Sequence, residues 1–101
     1  MGIVSRFAPS PTGSLHIGGL RTAIFAWFFA KTYNGECLIR FEDTDRQRSK
    51  AEYIQSILDS FLWMGIEFDR DPFFQSQAKN RHLQIVENLL KEGKAYYCNC
   101  S

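Results

Sequence analysis

The stretch Arg6-Phe7-Ala8-Pro9-Ser10-Pro11-Thr12-Gly13-Ser14-Leu15-His16-Ile17-Gly18-Gly19 holds the densest chemistry in this chain. An apolar run ends in a turn with two prolines and a glycine, and a long apolar segment follows. If that segment is a helix, its first amides are unpaired and point outward, which suits a phosphate. Gly18 and Gly19 lack side chains, so a phosphate or a flat ring can come close to the backbone. His16 can donate to a phosphate oxygen, with charge assistance when protonated. The plainer reading of the same residues is a proline-rich turn with His16 as a helix cap.

A second cluster is Arg40-Phe41-Glu42-Asp43-Thr44-Asp45. In an open parallel sheet, ligands sit beyond the carboxyl ends of the strands. Ser10, His16, Glu42 and Asp43 are therefore expected to face one pocket, where a carboxylate can hold an amino group or a ribose hydroxyl. The alternative is a solvated acidic loop before a helix. Arg6 can take a carboxylate bidentately, or it can pair internally with Glu42 or Asp43. Cys98-Asn99-Cys100 offers two thiols with one spacer, which is half of a tetrahedral zinc site or simply two free thiols. Cys37 reads as core and His82 as a surface residue. Arg46, Arg48 and Lys50 read as a solvated face that can also touch phosphate.

The elements that must position these residues follow from apolar periodicity. Residues 3–8 read as a strand, and residues 15–33 as a helix stopped by Asn34-Gly35, with the glycine supplying the left-handed residue. Residues 36–41 read as a second strand. Strand, helix and strand form a βαβ unit, so the strands should be parallel. Ser49-Lys50-Ala51-Glu52 has the form of a capping box. The helix it opens carries Ile54, Ile57, Leu58, Phe61 and Leu62 and ends at Gly65. Residues 67–75 read as a loop. A third helix over 78–92 carries Leu83, Ile85, Val86, Leu89 and Leu90 and stops at Gly93, and residues 95–98 read as a further strand. The first helix is apolar nearly all round, which marks a helix meant to be covered on every side. Here it should leave a large exposed patch, with open sheet edges and self-association as the consequence.

The 101 residues suit one domain with a modest core, and they are 45% hydrophobic and 15% aromatic. The net charge of +1 provides no global basic field of the kind that marks a nucleic-acid binder. No signal-peptide pattern opens the chain, and Arg6 breaks the myristoylation pattern. Three cysteines form no even disulfide set, which favours a reducing compartment. The apolar run from Ala23 to Ala30 is too short to span a bilayer. The expectation is a soluble cytoplasmic chain with no membrane partner.

Together these segments resemble the glutamyl-tRNA synthetases, a class I aminoacyl-tRNA synthetase family. Arg6 to Gly13 followed by Leu15-His16-Ile17-Gly18-Gly19 looks like the family's ATP-binding signature, with Gly19 where the wider class has a second His. Arg40 to Asp45 looks like its second landmark. Gln75-Ser76-Gln77 and Tyr96-Tyr97-Cys98-Asn99-Cys100 fall where the family has similar segments. The resemblance implies an α/β chain, the N-terminal half of a Rossmann-like nucleotide-binding domain with parallel strands and flanking helices. It implies activation of glutamate by Mg-ATP to glutamyl-adenylate, and transfer to the 3′ end of tRNA(Glu). By the same resemblance Arg6, Ala8, Ser10 and Glu42 bind glutamate. Pro9, Thr12, His16, Gly18 and Gly19 bind ATP, the last three with a catalytic role. Cys98 and Cys100 match only the beginning of a zinc site found in some bacterial members.

The resemblance also implies that residues 1–101 are the N-terminal part of the catalytic domain. No Lys-Met-Ser-Lys-Ser-like segment occurs, so the isolated chain is expected to be inactive. The nearest alternative is a short paralogue that attaches glutamate to a modified base of tRNA(Asp). Leu20-Arg21-Thr22-Ala23 and Thr44 favour the synthetase over it. A non-catalytic module that binds nucleotide or self-associates is a further alternative. A generic dinucleotide-binding domain is disfavoured, because no Gly-x-Gly-x-x-Gly follows the first strand.

Overall fold

Two parallel strand pairs organise the chain, and the computed structural model describes residues 2–100. Strand β1 (Val4–Phe7) leads through the proline turn into helix α1 (Ile17–Thr32), and strand β2 (Glu36–Phe41) follows. Val4 pairs with Glu36 and Phe7 with Ile39, in parallel register. Helix α2 (Ala51–Trp63), strand β3 (Phe73–Phe74), a 3-10 turn (Gln75–Ala78) and helix α3 (Lys79–Lys91) complete the described elements. The strand order is β1-β2-β3, with β3 parallel to β2 through Arg40–Phe73 and Phe41–Phe74. This is the expected α/β arrangement of parallel strands and flanking helices.

The core lies on one face of the sheet. Along β2, Cys37, Ile39 and Phe41 are buried while Glu36, Leu38 and Arg40 are half-exposed, the two-residue alternation of a strand covered on one side. Phe7, Ile39 and Phe41 meet Ala23 of α1 and Ile57 and Phe61 of α2 in a single cluster closed by Ile66. The Phe7 and Phe61 rings meet edge to face at 5.6 Å, and Phe41 stacks on Phe74 at 5.4 Å. Helix α1 turns only Ala23 and Ala30 fully inward, and it leaves Phe25, Phe28, Phe29 and Tyr33 more than half exposed. The expected apolar patch is therefore present.

Four local expectations are corrected. At the end of α1 it is Asn34, at φ 53°, that takes the left-handed conformation. Gly35 serves a different need: a Cβ there would press into the Ile3 carbonyl, well inside van der Waals contact. The capping box does not form. Lys50 is the N-cap of α2 with no side-chain cap bond, and the Ser49 hydroxyl is buried without a partner. Residues just before it make their own turn instead, with the Ser49 amide donating to the Asp45 carbonyl and the Arg48 amide to the Asp45 carboxylate. The segment read as a loop contains β3. The last segment, residues 95–100, forms no strand, and α3 buries none of its apolar residues.

Candidate active site at the strand ends

The first motif forms a hollow beyond the end of β1, of about 200 Å³. Pro9 and Ser10 line one side, His16 and Gly19 the other, and Phe7 and Ile57 the apolar floor. Pro11 is fully buried, which roots the turn. Glu42 and Lys50 brace that turn from the next crossover, their amides donating to the Pro9 and Pro11 carbonyls at 2.9 and 3.3 Å. The Thr12 amide donates to the Ser10 carbonyl at 2.9 Å and tightens the turn.

His16 is the N-cap of α1, and its Nδ1 accepts from the Gly18 and Gly19 amides at 3.0 and 3.4 Å. The cap reading and the ligand reading therefore meet in one ring. With Nδ1 engaged as an acceptor, Nε2 is the ring nitrogen left to donate to a ligand. The two glycines have packing reasons of their own. A Cβ at Gly18 would come within 2.9 Å of the His16 ring, and one at Gly19 within 2.9 Å of Leu15. The amides expected to lie open toward a phosphate are thus partly satisfied by His16.

The second cluster divides between two places, which corrects the expectation of one shared pocket. Ser10 and His16 line the hollow, but Glu42 and Asp43 do not. Glu42 pairs through Oε1 with Arg40. Asp43 faces Arg46 and Ser76 in a separate hollow. Burial raises the Asp43 pKa, but the Ser76 hydroxyl and amide, its own backbone and Arg46 outweigh it, and the carboxyl titrates below its usual range. The internal pairing considered for Arg6 is absent among the described residues, since both carboxylates have other partners. Arg6 is exposed, and strand alternation places it with Arg40 on the sheet face opposite the core. Ala8, two residues further, continues that face.

A larger cleft of about 530 Å³ lies away from this motif, between Thr44 and Arg46 and the residues Lys79, His82 and Leu83 of α3. His82 is exposed, as expected. Arg48 pairs with Asp45 at 3.7 Å and Lys50 with Glu52 at 3.9 Å, so these side chains lie on a solvated face. Cys98 and Cys100 are free and exposed, while Cys37 is buried as expected. The Cys100 amide and thiol hydrogen-bond to Cys98 and lower its pKa. Two thiolates fill half of a tetrahedral shell, and no group of three or more metal-binding side chains forms among the described residues. These residues do not by themselves fit a zinc ion.

Comparison with known proteins decides the family. The sequence model for "tRNA synthetases class I (E and Q), catalytic domain" matches residues 2–101. The chain belongs to this family. It is 54% identical over 101 residues to a glutamate–tRNA ligase of Legionella pneumophila (strain Corby), covering 100% of this chain and 22% of that protein. It is 52% identical over 101 residues to glutamate–tRNA ligase 2 of Anaplasma marginale (strain St. Maries), again with 22% of that protein covered. Among solved structures, a glutamate tRNA ligase from Elizabethkingia meningosepticum in complex with its amino acid superposes with a TM-score of 0.83 at 36% identity, over 90% of this chain and 20% of that one. The chain thus spans about a fifth of the length of the relatives it matches. Within the family, the architecture described above is the Rossmann-like catalytic fold.

Proposed function

We propose that this chain forms the glutamate- and ATP-binding part of a glutamate–tRNA ligase. In the first step a carboxylate oxygen of glutamate's α-carboxyl attacks the α-phosphorus of Mg-ATP. The bond to the bridging oxygen breaks, and pyrophosphate leaves. In the second step a hydroxyl of the terminal ribose of tRNA(Glu) attacks the acyl carbon, and AMP leaves. In-line transfer at phosphorus asks the protein chiefly for positioning and charge neutralisation. A site made of helix amides, one imidazole and a few polar groups suits that demand.

The observation that carries this reading is the hollow at the start of α1, where Pro9, Ser10, His16 and Gly19 converge beyond a strand end. His16 Nε2 donates to an ATP phosphate, while Pro9, Thr12, Gly18 and Gly19 shape the approach to the helix N-terminus. Arg6 takes the side-chain carboxylate of glutamate, and Ala8 leaves room beside it. Ser10, on the hollow, and Glu42, just outside it and tied to the same turn by its amide on the Pro9 carbonyl, hold the α-amino group between them. Arg40 occupies Glu42 Oε1, so Oε2 is the oxygen offered to that ammonium. Free cysteines support a cytoplasmic location. The exposed α1 aromatics support self-association of the isolated chain.

Calorimetric titration with a non-hydrolysable glutamyl-adenylate analogue tests the assignment, with His16→Ala as control. Saturable binding that weakens about tenfold in the variant, the scale of one hydrogen bond to a charged group, is the expected result. Binding that is indifferent to His16 would remove the ATP site from this hollow.

A further inference from the structure

Asp43 is the one polar side chain among the described residues that is buried, at 4% exposure. Both carboxylate oxygens are used. Oδ1 accepts from the Ser76 amide at 2.8 Å. Oδ2 accepts from the Ser76 hydroxyl at 2.7 Å and from Arg46 at 3.1 Å. The contact lies just beyond the paired residues Phe41 and Phe74, so it joins the segments that leave the ends of β2 and β3. It ties together two segments, one of them Gln75-Ser76-Gln77, to which the proposed chemistry gives no role.

The consequence runs along the backbone. Residues 42–50 hold the proline turn at both ends, through the Glu42 amide on Pro9 and the Lys50 amide on Pro11. That turn carries Ser10, and the same segment carries Glu42. Arg46 folds back on Asp43 from within the segment. One buried carboxylate therefore fixes the segment that sets Ser10 and Glu42, the two groups proposed to hold the α-amino group. His16 is held by the first turn of α1, where its Nδ1 accepts from the Gly18 and Gly19 amides.

We propose that Asp43 is a positioning residue for the amino-acid half of the site, acting through Ser76 on the 42–50 segment and hence on Glu42 and Ser10. The inference rests on the functional reading above and adds to it a division of labour. Loosening this anchor displaces Ser10 and Glu42, which hold the α-amino group, and leaves His16, the donor to the ATP phosphate, in place on the first turn of α1. Misplacement by about 1 Å is enough to cost one to two orders of magnitude.

The test is charging of tRNA with glutamate by the full-length protein that contains this chain, with KM measured separately for glutamate and ATP. For Asp43→Ala the expected result is a glutamate KM raised about tenfold and an ATP KM within about twofold. Ser76→Ala, which removes only the hydroxyl bond, should give a smaller rise, and Ser76→Thr should restore the parent value. A general fold defect lowers the active fraction and so kcat, without raising one KM alone. If Asp43→Ala does not fold, Asp43→Asn and Ser76→Ala carry the test, since each keeps the side-chain volume nearly constant. An unchanged glutamate KM in folded variants, or equal rises for both substrates, overturns the inference while leaving the functional reading in place. A wild-type protein that charges no glutamate removes the functional reading, and the inference with it.

Discussion

At the residue scale, His16 carries two duties that a substitution can separate. It caps α1 through Nδ1 and lines the hollow. His16→Ala loses both, and loss of a cap costs about 0.5–2 kcal/mol. His16→Asn keeps a good capping side chain but is too short to reach a phosphate. Thermal melts of the two variants should differ by about 1 kcal/mol, while both bind the adenylate analogue weakly. Normal binding by His16→Asn would assign the residue to structure alone. Acid stability is a second residue-scale consequence. Lys31 and the Cys37 amide lower the Asp69 pKa against a smaller effect of burial, and Asp43 is also held below its usual range. A carboxyl with a depressed folded pKa binds its proton more readily in the unfolded chain, so the stability it contributes is present above the unfolded value and lost as pH falls. Urea midpoints should therefore drop from pH 5 toward pH 3, and Asp69→Asn should flatten that drop. A midpoint insensitive to pH across this window would contradict the assignment.

Elements are where sequence and structure part company most informatively. Strand β2 is legible to the residue, because the short apolar run Cys37, Leu38, Ile39 and Phe41 follows the helix stop at Asn34-Gly35. Strand β3 is not legible, because two residues after a proline carry no period. The capping box fails because a neighbouring Asp competes for the same short turn, which no local pattern weighs. The site was half legible. His16 and its glycines sit on contiguous sequence, but the Asp43–Ser76 bond joins positions whose meeting depends on β3. The end of α1 supplies a prediction of its own. Gly35→Ala should destabilise by about 1–3 kcal/mol or more, because its Cβ meets backbone that cannot move aside. Asn34→Gly should be nearly neutral, since glycine adopts the left-handed conformation without cost. Denaturant titration of both variants checks the contrast, and the reverse order would return the left-handed role to Gly35.

At the scale of the whole molecule, the sheet is covered on one face only. The chain measures 46 × 37 × 21 Å, and its thinnest extent is the depth of a sheet with one helix layer. Parallel sheets are ordinarily covered on both faces, and here Arg6, Leu38 and Arg40 lie toward the open one. Phe25, Phe28 and Phe29 add an apolar surface on α1. The isolated chain is therefore expected to self-associate through these residues. Sedimentation velocity should show a concentration-dependent rise in mass that Phe28→Ser and Phe29→Ser together suppress. A clean monomer at high concentration would count against this.

The hollow beyond β1, as proposed above, serves an enzyme that activates glutamate. The most direct measurement is charging of unfractionated tRNA by the full-length protein that contains this chain, with labelled glutamate and labelled glutamine compared. The expected result is incorporation from glutamate, dependent on ATP and sharply reduced by His16→Ala. No incorporation from glutamate by a folded protein, or a preference for glutamine, would contradict it.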